Sequence, residues 1–315
     1  MKSIFYLLLL LLTSNLTYAT IVRCNNNPLV TGPNVYSNAQ SAHDAANAGD
    51  TIHLEPTTFG SYGQIQVYKK ITIISIGTFL ENNPGLQVGT ISSRVSDIFI
   101  NPGADSCKIS CYVDNSIYVY ANATIVQKAR VTSIYTDNVS NTQIRQSFVL
   151  TIFGSNAPNL LMNNCYIWGW CHITGNYGAI VQNNIIRVNQ FTYGWSSNFE
   201  NSIIANNIFW TENGGDFYFT NCSFSNNICD ISSLPAGFSN ENAVDMSSVF
   251  LNWNNFNGDH FELNPSYPKQ NIGIYAGNYP YIPGIQPAIP SIYFLQAEGI
   301  NSGNNLQIQV STRSN

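Results

Sequence analysis

Leu160-Leu161-Met162-Asn163-Asn164-Cys165, Ala179-Ile180-Val181-Gln182-Asn183-Asn184-Ile185, Ile203-Ile204-Ala205-Asn206-Asn207-Ile208 and Phe224-Ser225-Asn226-Asn227-Ile228 repeat one short pattern. An apolar run leads into an Asn pair, and an apolar residue follows. The second Asn recurs at steps of 20, 23 and 20 residues. A unit this small cannot bury its own apolar face, so the period implies stacked repeats sharing one continuous core.

Working outward, the first Asn of each pair sets a register through Ser110, Gln127, Arg145, Asn163, Asn183, Asn206 and Asn226. Such steps are too short for a crossover helix between strands. They hold two or three short strands joined by tight bends, stacked about 4.8 Å apart. The reading is all-β: a right-handed, single-stranded parallel β-helix. Asn suits the bends because it tolerates left-handed backbone angles and its carboxamide both donates and accepts. Asn164, Asn184, Asn207 and Asn227 are therefore expected to bond to one another along the stack.

Upstream, Ala39, Ala42, Ala45 and Ala46 fall at helical spacing before Gly49. That predicts a short helix closing the open end of the stack, which would otherwise present unpaired backbone. Thr51–Leu54, Gln64–Val67 and Ile71–Ile74 are read as the first strands. Met1-Lys2-Ser3, the apolar run to Leu12 and Thr17-Tyr18-Ala19 have the form of a secretory signal peptide, residues 1–19. The solenoid with its cap is placed at 20–282. Prolines at 280, 283, 287 and 290 introduce an appendage at 283–315, with strand-like 291–295 and 306–310.

Charged residues are only 9% of the 315, and the formal charge is −5. No basic patch exists to neutralise phosphates, so nucleic acid is not an expected partner. No stretch is long and apolar enough to span a membrane. The seven Cys are odd in number and irregular in spacing, unlike a disulfide framework. No metal site is expected: Cys107 and Cys111 lack further ligands at zinc spacing.

The Asn-pair rungs, Ala48-Gly49-Asp50-Thr51-Ile52 and Lys70-Ile71-Thr72-Ile73-Ile74 resemble the pectin-lyase-like superfamily of right-handed parallel β-helices. The tail, Phe261-Glu262-Leu263-Asn264-Pro265 with Ile272-Gly273-Ile274-Tyr275-Ala276-Gly277, is similar to secreted members from Bacteroidota. The resemblance spans about residues 35–285 and implies fold more than chemistry. The Asp, His and Arg signatures of its polygalacturonases, esterases and calcium-dependent lyases are absent.

Two residue sets are candidates for function. Trp168, Trp170, Tyr193, Trp195 and Trp210, with Asn189, crowd the middle rungs, where exposed rings would contact sugars. The expected function is glycan binding or adhesion without catalysis, by a secreted or cell-surface protein. The alternative is a polysaccharide lyase or inverting glycosidase acting on an acidic polysaccharide. Three residues past the second Asn stand Ile167, Arg187, Trp210 and Asp230; two further on come Gly169, Asn189, Glu212 and Ser232. On one outer face, Glu212 and Asp230 would lie roughly 8 Å apart, within the range of an inverting pair of carboxylates. Arg187 would meet a uronate carboxylate, and a lyase would admit Ca2+. His43, His53, His172 and His260 form no triad-like set.

Overall fold

A computed structural model describes residues 19–80, 87–175, 177–189, 196–212, 215–232, 234–251, 261–278, 280–281, 284, 290–300 and 306–314. The expected signal peptide lies outside them, apart from Ala19. Stacked parallel strands build a β-solenoid of about 9 turns, consistent with a pectin-lyase-like fold.

Each turn has three faces. The first is an eleven-stranded parallel sheet that includes Thr51–Leu54, Ile125–Gln127, Gln143–Arg145, Leu161–Asn163, Ala179–Gln182 and Ser202–Ala205. The other two form one branched sheet. Phe148–Ser155 crosses both, pairing with Tyr166–Trp168 on the second face and Cys171–Thr174 on the third. Alternation with period two sends every other side chain inward. On the first face Ile109, Val126, Ile144, Met162, Val181 and Ile204 stand in register, and each is 0% exposed. Burying one such side chain contributes about 1.5–3 kcal/mol, so the stacked columns drive folding.

The expected cap forms as helix Ala39–Ala45. The Asn38 side chain accepts from the Ser41 N–H at 2.8 Å, and Ala39, Ala42 and Ala46 join the core. Gly49 follows at φ +96°, a conformation that costs a residue with a Cβ.

The expected register holds through Gln127, Arg145 and Asn163 and then slips by one. Asn163 pairs with Gln182, not Asn183. The position of left-handed φ is held by Lys128, Gln146, Asn164, Asn183, Asn206 and Asn226, at 46–58°. The residue after it turns into the bend and is fully buried: Cys165, Asn184, Asn207 and Asn227. The first Asn pair thus sits one place earlier than the others, and Cys165 fills the inner position. The bend tolerates this because Cys is small and its thiol reaches the Ile144 and Asn163 carbonyls at 3.4 Å.

At the inner position Asn184 Nδ2 donates to Asn207 Oδ1 at 3.0 Å, and Asn207 Nδ2 to Asn227 Oδ1 at 3.1 Å. Asn227 Nδ2 donates to Asn240 Oδ1 at 3.1 Å. Each oxygen also accepts the backbone N–H of the rung before it, beginning with Cys165 N–H to Asn184 Oδ1 at 2.8 Å. Asn164 turns elsewhere, donating to the carbonyls of Ile274 and Ala276 at 2.8 and 2.7 Å.

Beyond the last rung, Asp245 caps helix Met246–Val249, and a returning segment packs over the second face through Phe261, Tyr267, Ile272, Ile274 and Tyr281. In the appendage Pro290–Ile300 and Leu306–Ser314 form an antiparallel hairpin. All seven Cys are free thiols, six of them buried. Burial pushes Cys24, Cys111 and Cys165 up to about 12. No helix among the described residues is long and apolar enough to cross a membrane.

Candidate functional site

The outer column expected in the middle rungs is Trp168, Arg187 and Trp210, one residue off for its first member because of the same slip. Arg187 stacks between the two rings, 5.4 Å from the Trp168 centroid and 4.5 Å from that of Trp210. The column was placed on an outer face, yet Arg187 is 1% exposed and Trp210 6%. The returning segment covers it. Phe250 and Phe261 lie 5.7 and 6.1 Å from Trp210, and Phe261 lies 4.6 Å from Tyr166. Tyr166, Ile185, Ile208 and Ile228 point outward on this face, and an apolar face left in water would be costly.

Asp230 stands at the rim of this cover. Its carboxylate accepts from the Thr211 N–H and hydroxyl at 2.9 Å. Burial raises its pKa despite those bonds. With Trp210, Asp245 and Ser247 it lines a cleft of about 330 Å3. Asn189 pairs with Glu212 in backbone register; the side chains of both, and Tyr193 and Trp195 entirely, lie outside the described residues. Trp170 is half-buried on the third face, edge-on to Phe153. Among the described residues no group of three or more His, Cys, Asp or Glu is placed to hold a metal ion.

A second cleft of about 330 Å3 opens on the second face at lower rungs. Its floor is the outward column Arg94, Tyr112 and Arg130, held by parallel pairing. Thr57, Thr58, Thr78, Thr90 and Ser92 line the walls, with the Thr78 hydroxyl itself buried. Arg130 lies 4.4 Å over the Phe79 ring and 4.6 Å over Tyr112. Phe79 takes φ +56°, an outlier for a bulky residue. The strain places its ring over the guanidinium. Arg94 is held by Asp114 at 3.4 Å, and burial raises the Asp114 pKa even though Arg94 opposes it. Among the described residues no carboxylate or imidazole lines the cleft. It can donate many hydrogen bonds, attract weak negative charge and stack a ring, but it lacks a carboxylate–carboxylate or His-based acid–base pair.

Sequence reasoning missed one row. Phe99, Tyr118, Tyr135, Phe153 and His172 stack along the third face at centroid distances of 4.8, 4.9, 5.0 and 5.6 Å, within 10° of parallel. The signal was present: aromatic rings recur at steps of 19, 17, 18 and 19. Their faces are taken by one another, so the row offers edges to solvent and contributes chiefly to rung stacking.

No family model, curated protein or solved structure matches this chain.

Proposed function

We propose that this is an exported protein that contacts glycans without catalysis, at the cell surface or in the medium. The observation that carries the reading is the cleft over Arg94, Tyr112 and Arg130. Four hydroxyl side chains besides the buried Thr78, two rings and two guanidinium groups converge there, with no carboxylate or histidine among the described lining residues. Sugars are recognised by stacking of their apolar faces on rings and by hydrogen bonds to their hydroxyls, for which this lining is suited. Arg130 is held by its two rings, so it loses little freedom on binding.

The enzymatic alternative is favoured by one observation: a carboxylate with raised pKa, Asp230, at the edge of a cleft beside Trp210. A general acid needs such a shift. Against it, both Asp230 oxygens accept from Thr211, and Arg187 is sealed beneath the returning segment.

One assay separates the two. The purified chain is incubated with acidic and neutral polysaccharides, with and without Ca2+, while new reducing ends and the absorbance of unsaturated uronates are followed. Retention on the same polysaccharides, immobilised, is measured in parallel. Retention without product, weakened about tenfold by Arg130→Gln, is the expected result. Product abolished by Asp230→Asn would replace binding by catalysis. Neither product nor retention would refute both readings.

A further inference from the structure

A third cleft, sharing no lining residue with the other two, lies where the returning segment crosses the bend between the first and second faces. It holds about 320 Å3. Arg145, Asn163 and Gln182 are paired on successive rungs and form one wall. Gly277 and Asn278 form the other. The walls are pinned together. Asn164 donates to Ile274 O and Ala276 O, and the Gly273 N–H donates to Asn206 O at 2.9 Å. Gly277, at φ +75°, passes so close that a Cβ there would meet Asn183 Nδ2 at 2.8 Å. The cleft is therefore preformed.

Its polar groups are incompletely used. Asn183 is 7% exposed, and its Nδ2 donates to Asn163 Oδ1 at a long 3.4 Å. Asn183 Oδ1 is buried and accepts from no described residue; Arg145 Nε is buried and donates to none. The Arg145 guanidinium has no ion pair with any described residue, and no carboxylate is among the described residues that line the cleft. Buried polar atoms are almost always hydrogen-bonded. One donor and one acceptor lacking partners in one cleft define what would complete it. Arg145 is half-buried and its guanidinium is unpaired, so an anion in the cleft would meet a charge-assisted donor.

We propose that this cleft binds a small oxyanion that also carries a hydroxyl. The oxyanion accepts from Arg145, and the hydroxyl donates to Asn183 Oδ1. The volume is at the lower end for ligand pockets, which limits the ligand to about one sugar ring or a short hydroxy acid. Two sources fit, a sugar acid and an open-chain hydroxy acid. The assignment does not rest on the glycan reading, since either source satisfies it.

The test is calorimetric titration of the full chain with D-galacturonate, tartrate, inorganic sulfate and D-galactose. At least one of the two hydroxy acids should bind, and which one identifies the source. Sulfate, lacking a hydroxyl, and galactose, lacking the charge, should each bind about tenfold or more weakly. Arg145→Gln should weaken the acid about tenfold to a hundredfold. Asn183→Asp keeps a residue that tolerates the left-handed bend but places a carboxylate against the ligand, and it should also weaken binding. Both variants are checked for a native melting transition. Failure of both acids to bind would overturn the proposal. So would equal affinity for galactose, or undiminished binding by a folded Arg145→Gln. Equal affinity for sulfate would overturn the role given to Asn183.

Discussion

Asn207 and Asn206 are neighbours at one bend, and substituting them should have very different consequences. Asn207 is 0% exposed. Its Oδ1 accepts from the Asn184 N–H at 2.9 Å and Asn184 Nδ2 at 3.0 Å; its Nδ2 donates to Val181 O at 2.8 Å and Asn227 Oδ1 at 3.1 Å. In Asn207→Ala, Asn184 Nδ2 keeps Met162 O, and Asn227 Oδ1 keeps the residue 207 N–H. The Asn184 N–H loses its acceptor and the Val181 carbonyl loses a donor. Each buried polar group left without its partner costs about 1–3 kcal/mol, and the vacated carboxamide adds a cavity. The expected loss is about 3–5 kcal/mol, a large share of the roughly 5–15 kcal/mol that holds a domain folded.

Asn206 faces outward, half-buried, at φ +58°. Asn206→Gly keeps the backbone angle free of strain and removes only the bond accepted from Asn226 at 2.8 Å, for about 1 kcal/mol. Urea unfolding followed by circular dichroism, with midpoints compared at a common slope, measures both. If the two variants unfold within about 1 kcal/mol of each other, the inner position has no special role and the reasoning fails.

Three further outcomes are expected. Asp50 is 2% exposed; burial raises its pKa, but the N–H groups of Thr20 and Asn47, each at 2.7 Å, outweigh that and hold it below the ordinary Asp value. Its contribution is therefore full above the unfolded-state pKa, about 3.9, and is lost as pH falls through the folded value. Asp50→Asn should destabilise at pH 7 and converge with the parent in acid, which urea midpoints at several pH values will show. In a chain beginning at Thr20, an α-ammonium would replace the amide N–H that donates to Asp50 Oδ1 at 2.7 Å; it should resist urea better than one with an acetylated Thr20, and the advantage should vanish in Asp50→Asn. Gly273→Ala brings a Cβ to 2.8 Å from Ile208 Cδ1 at φ +71°. It should cost about 2–4 kcal/mol and speed hydrogen exchange under the returning segment before the rungs open.

The rungs were legible because their cause is local. An inward apolar residue, an outward one and a left-handed bend recur within 20 or so residues, and each leaves its mark on the chain. The register slip at Asn163 shows the limit of that legibility. Two adjacent Asn look alike in sequence, but the structure separates an outer residue chosen for its backbone angle from an inner one chosen for its carboxamide. A copy with Asn164 at the outer place and Cys165 at the inner one satisfies the bend while displacing the pair. The slip carried forward to the outer column, where Trp168, not Ile167, stands beside Arg187.

The cover over that column was not legible for a different reason. Its contacts join Asn164 to Ile274 and Ala276, 110 and 112 residues apart, and no periodicity connects such partners. Outward Tyr166, Ile185, Ile208 and Ile228 did carry a trace of it, since four apolar residues in register on an outer face need a partner. The same crossing that hides Arg187 also makes the cleft at Arg145 and Asn183. A rung repeat cannot specify a binding pocket, because every turn presents nearly the same wall. A pocket requires a place where the repeat is interrupted, and the returning segment supplies that interruption at the bend where Asn164 turns away from the inner column.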